Sequence, residues 1–102
     1  MELTTFRHNP ALKSLVKLGI HGHFPLFHQS WVNEALQKGP TSLTKKAQAR
    51  AKKIIKQVIK HNTIEKKKTA LLSLQDEDRE LFIMAFFKMV EGQILDQSPS
   101  LH

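Results

Sequence analysis

Residues 78–95 read DRELFIMAFFKMVEGQIL. Wound at about 100° per residue, this stretch turns apolar side chains to nearly every side and leaves a thin polar strip of Glu77, Glu80, Lys88 and Glu91. A helix that is apolar almost all round has to be surrounded, so the pattern predicts the buried centre of a helical bundle. Acids crowd its start: Asp76, Glu77, Asp78 and Glu80 follow Ser73, a residue suited to cap the helix. Carboxylates in a first turn are favoured by the positive end of the helix macrodipole.

The best partner for that helix is 43–61, LTKKAQARAKKIIKQVIKH. Leu43, Ala47, Ala51, Ile54, Ile55, Val58 and Ile59 fall on one side, while Lys45, Lys46, Arg50, Lys52, Lys53, Lys56 and Lys60 take the other with Ala49 and Gln57. No acid interrupts the basic side. Lys52, Lys56 and Lys60 stand at successive i,i+4 positions, where each like-charge pair costs an isolated helix about 0.2–0.5 kcal/mol. An anionic partner or an acidic neighbour within the fold is therefore expected to offset the repulsion. Thr41 or Ser42 is the expected cap of this helix. Asn62-Thr-Ile-Glu65 resembles a capping box, so either a short fourth helix follows over 66–72 or the long helix runs on.

Upstream, Asn9-Pro10 predicts a capped helix start, with Leu12, Leu15 and Val16 as its apolar stripe and Gly19 as its terminator. Pro25 is expected to open a second helix carrying Leu26, Phe27, Trp31, Val32, Ala35 and Leu36, stopped by Gly39-Pro40. Trp31 is the largest side chain on offer, and the spacing of Phe24, Phe27 and Trp31 points to packing in a core. No period-2 apolar alternation long enough for a strand occurs. The expected fold is all-α: one domain over residues 1–102, a bundle of four to five helices, with 1–8 and 97–102 as loose tails.

A chain of 102 residues has room for one modest core. Its longest apolar run, 81–87, ends at Lys88 far short of a bilayer span, and it has no cysteine for disulfide or thiolate chemistry. The first ten residues, MELTTFRHNP, lack the cationic and apolar segments of a secretory signal. A cytoplasmic chain is the expectation.

The net charge of +7 is localised. Residues 40–68 hold ten basic side chains against Glu65 alone, whereas 69–102 hold six acids against Arg79 and Lys88. Nucleic acid rewards such a face, because each neutralised phosphate releases counterions. Between Trp31 and Phe82 there is no aromatic residue to stack on bases, which favours duplex backbone over single strands. Pairing with the chain's own Asp76–Glu80 acids would mask the face, and an acidic protein partner would also suit it. An anionic membrane suits it least, since the apolar side lacks the Trp and Phe of interfacial helices. A helix-turn-helix over 31–53 fails at Lys45, which stands where that motif turns an apolar residue inward.

His21, His23 and His28 lie close in sequence, but no acid or cysteine stands near to complete a metal site, the next carboxylate being Glu34. Neither a phosphate-binding glycine loop nor a nucleophile elbow nor an HExxH motif is present. The expectation is a non-catalytic protein without cofactor or metal. It would bind nucleic acid through Lys45, Lys46, Arg50, Lys52, Lys53, Lys56 and Lys60. The alternative expectation is a homo-oligomeric interaction or adaptor module, with the apolar surplus of residues 78–95 covered by a second copy in a homodimer.

Overall fold

Helices start where a side chain can accept the N–H groups that a first turn leaves without partners. In the computed structural model, which describes residues 9–38 and 43–96 and only the backbone over 93–96, Asn9 Oδ1 accepts from the Leu12 N–H at 3.1 Å. Pro10 then opens α1, Pro10–Ile20. The helix α2 spans Gln29–Lys38. Thr44 Oγ1 accepts from the Ala47 N–H at 3.1 Å and starts α3, Lys45–Ile59. Thr63 Oγ1 accepts from the Lys66 N–H at 3.1 Å and starts α4, Ile64–Ser73. The last helix, α5, spans Asp76–Asp96. The fold is an all-α bundle of five helices, without a strand among the described residues.

Several boundaries differ from those expected, each for a local reason. Gly19 does not end α1. The left-handed residue is Gly22, at φ 81°, and the Gly22 and His23 N–H groups donate back to the Gly19 and Leu18 carbonyls, the two bonds of a Schellman cap. Pro25 does not open α2 either; it sits in a turn closed by the Phe27 N–H on the Phe24 carbonyl, and the His28 carbonyl accepts from Trp31 and Val32 as α2 begins. The α3 cap is Thr44, while Thr41, Ser42, Gly39 and Pro40 lie outside the described residues, as do the expected tails. The chain breaks before α4, with Thr63 capping it rather than Asn62. Ser73 closes α4 instead of capping α5, its Oγ donating to the Ala70 carbonyl at 2.8 Å.

The central helix is α5, as its all-round apolar pattern requires: α1, α2 and α3 pack on it, and α4 packs on α3. Phe82, Ala85 and Phe86 are buried with Leu12 and Leu15 of α1 and Ile54, Ile55 and Val58 of α3. Phe24 and Phe27, from the α1–α2 connection, join Phe82, Phe86 and Phe87 in an aromatic cluster, with Phe27 edge-on to Phe86 at 5.2 Å between centroids. Trp31 is not the anchor of the core. It is half-buried, and the largest fully buried side chain is Phe82.

What Gly19 does is let α1 and α5 approach. A Cβ at that position would lie 2.8 Å from Val90 Cγ2 and 3.1 Å from the Phe24 ring. Valine on a helix has one strongly preferred rotamer and cannot swing aside cheaply. Gly19→Ala is therefore expected to lose about 1–2 kcal/mol of stability, the overpacking exceeding the roughly 1 kcal/mol that alanine gains over glycine in helix propensity. Urea denaturation checks this, and a variant as stable as the parent would contradict the close crossing.

Candidate nucleic-acid interface

The helical period separates the two halves of α3. Ala51, Ile54, Ile55, Val58 and Ile59 are buried, while Lys45, Lys46, Arg50, Lys53, Lys56 and Lys60 are exposed and Lys52 is half-buried at the edge. From Lys45 to Lys60 the cations run along about 22 Å of helix axis.

The α5 start lies alongside one edge of this face. Arg50 Nε donates to Asp78 Oδ1 at 2.7 Å. That hydrogen bond, then the charge of Asp78 and more weakly that of Glu77, raise the Arg50 pKa above its already high ordinary value, with partial desolvation opposing. The guanidinium thus stays charged wherever the chain is folded. Lys46 and Lys53 border the same shallow depression between α3 and α5, across from Glu77, Asp78 and Glu80. Two nearby acids, Glu80 and Asp76, are paired elsewhere. Glu80 accepts from Lys38 Nζ, which raises the Lys38 pKa, and Asp76 accepts from Arg79 Nη2 at 2.5 Å.

The basic face is therefore divided rather than masked. Arg50 is committed to Asp78, but Lys45, Lys46, Lys53, Lys56 and Lys60 make no ion pair with another described residue. Lys45, Lys56 and Lys60 do not line that depression.

The lysines of α4 separate in a way that the sequence reading missed. Lys66 is exposed and Lys68 half-buried, but Lys67 is 4 % exposed, and its Nζ donates to the His61 carbonyl just beyond the end of α3. It does not extend the basic face; it serves as a buried cation at a helix C-terminus, where backbone carbonyls lack intrahelical partners. The signal was present in the sequence, because Lys67 stands one turn before Leu71 on the stripe where α4 should be apolar.

His21 and His23 are exposed around the Schellman cap, and His28 lies edge-on to Trp31 at 4.5 Å between centroids. Among the described residues no three or more His, Asp or Glu side chains gather for a metal, and no helix is long and apolar enough to cross a membrane. Helices α2 and α3 each pack on α5. Among the residues whose side chains are described, the exposed large hydrophobics are Leu18, Leu36, Ile64 and Leu72, on α1, α2 and α4, while Leu81, Met84, Phe87 and Met89 of α5 are half-buried.

Comparison of the chain with protein-family models, with curated proteins and with solved structures returned no match.

Proposed function

We propose that this protein binds the phosphate backbone of duplex nucleic acid through α3, as a binding module rather than a catalyst. The observation that carries this reading is the row of exposed lysines on one helix, Lys45, Lys46, Lys53, Lys56 and Lys60, without carboxylate partners among the described residues. A duplex carries one negative charge per about 1.7 Å of axis, so a cationic strip about 22 Å long meets several phosphates at once. Contacts of this kind position a protein without reading bases. Arg50 is the one arginine of the face and is tied to Asp78. Bidentate recognition of guanine, the commonest arginine contact to a base edge, has to compete with that pair, and the lysines meet only backbone, so binding is largely sequence-independent.

Titration of random duplex DNA and RNA at several salt concentrations tests the reading. Five phosphate contacts give a slope of log affinity on log salt near about −4.5. Reversing Lys53, Lys56 and Lys60 to Glu is expected to weaken binding at least about tenfold and to reduce the slope by about 3, with helical content unchanged because all three side chains are exposed. Absence of binding at low salt, or affinity unaltered by the triple reversal, would sink the proposal.

A further inference from the structure

The acidic start of α5 reaches the lysine face along one edge only. Arg50 Nε donates to Asp78 Oδ1 at 2.7 Å, with the Arg50 side chain 60 % exposed and that of Asp78 19 % exposed. Glu77, exposed and without an ion pair to another described residue, lies with Asp78 along the depression that Lys46 and Lys53 border. Lys45, Lys56 and Lys60 lie outside it. Asp76, on the same first turn, stands apart from these acids. It lines a groove of about 410 Å³ between α2 and α5, with Trp31 and Phe87, and accepts from Arg79.

A carboxylate and a phosphate are both oxyanions that a guanidinium grips through its N–H groups. Asp78 belongs to the chain and is in place on Arg50 before any duplex arrives. A phosphate brought within hydrogen-bond reach of Arg50 also comes within about 8 Å of Asp78, the Debye length at 0.15 M salt, so the repulsion between the two anions is poorly screened. Glu77 adds a second like charge on that edge. Asp78, by its hydrogen bond and its charge, and Glu77, more weakly, already act on Arg50 in the free chain, where they raise its pKa.

We propose that the first turn of α5 is an internal competitor of the duplex: Asp78 keeps Arg50 out of phosphate contact, and with Glu77 it weakens binding along the Lys46 and Lys53 edge of α3. This rests on the reading of α3 as a phosphate-binding face, and it sets the affinity of that face below what its cations alone would give.

Titration of random duplex DNA between about 0.05 and 0.3 M salt compares the parent chain with Asp78→Asn, Glu77→Gln and Asp76→Asn. Each variant removes one negative charge, so a mere change of net charge would act alike in all three. Asp78→Asn is expected to steepen the slope of log affinity on log salt by about 0.9, one further phosphate contact, and to tighten binding about fivefold at about 0.15 M salt, taking the electrostatic contribution to vanish near about 1 M. Adding Arg50→Gln to Asp78→Asn should cancel that gain. Glu77→Gln should tighten binding by a smaller factor, and Asp76→Asn should leave it within about twofold of the parent. Circular dichroism checks the fold. Should Asp78→Asn disturb it, Glu77→Gln carries the test, since that side chain is exposed and makes no hydrogen bond to another described residue. Failure of the parent and all variants to bind at low salt would remove the reading of α3 and this inference with it. A parent that binds, with Asp78→Asn no tighter, with an equal gain from Asp76→Asn, or with a gain that survives Arg50→Gln, would leave that reading standing and overturn the inference alone.

Discussion

Replacing Phe82 with alanine is expected to lower the unfolding free energy by about 3–5 kcal/mol. Its ring is fully buried at the middle of the bundle, edge-on to Phe27 at 6.0 Å and stacked on Phe86 at 6.4 Å between centroids. Truncation removes the transfer free energy of the ring and leaves a cavity walled by side chains held on two helices and a turn, which can collapse only in part. Domains of this size are stable by about 5–15 kcal/mol, so the truncated variant should be close to unfolding at ambient temperature. Guanidinium denaturation followed by circular dichroism measures the loss. Trp31→Ala is the control: a larger side chain is removed, but from a half-buried position between α2 and α5, and the loss should be the smaller of the two. If the Trp31 change costs more, the centre of the core has been misplaced.

The second large effect separates two adjacent lysines. Lys67→Glu is expected to destabilise the fold by about 3 kcal/mol or more, whereas Lys66→Glu should leave stability within about 0.5 kcal/mol of the parent. An ionised carboxylate at position 67 would be buried, would face the His61 carbonyl and could donate nothing to it. Burial disfavours the charged form and so raises the folded-state pKa of the new glutamate above its unfolded value. A raised folded pKa means that stability is greatest in acid and falls as pH rises, so lowering the pH towards about 5 should recover part of the loss. Lys67→Met keeps the apolar stem and gives up only the hydrogen bond, at a cost of about 1–2 kcal/mol. Equal tolerance of Glu at positions 66 and 67 would contradict the burial of Lys67.

Comparing neighbours in this way shows how far the local pattern reaches. The apolar girdle of 78–95 marks α5 as the central helix without reference to any other element, because no other environment satisfies it. Asn9-Pro10 announces a helix start through a side-chain oxygen that accepts a nearby N–H group, a matter of three residues, whereas Asn62-Thr-Ile-Glu65 left open whether the chain breaks there and did not single out Thr63 as the cap. The same holds for α3, whose two halves separate at the helical period. In each case the physics is short-range, and reading in register along one helix suffices.

Placement across the bundle is of another kind. Arg50 meets Asp78 from 28 positions away, and nothing within 43–61 distinguishes it from the exposed lysines beside it. Gly19 and Gly22 lie on one short stretch, and it took the approach of α5 to assign the first to a close helix crossing and the second to the positive φ of the turn. The groove between α2 and α5 belongs to neither helix alone. The sequence by itself determined the class of fold, which helix is central and which half of α3 is basic, since those follow from periodicity and capping. Tertiary structure alone decided which cation is committed to Asp78 and which large apolar side chains stay exposed, because those depend on distances between helices that only the packed core sets.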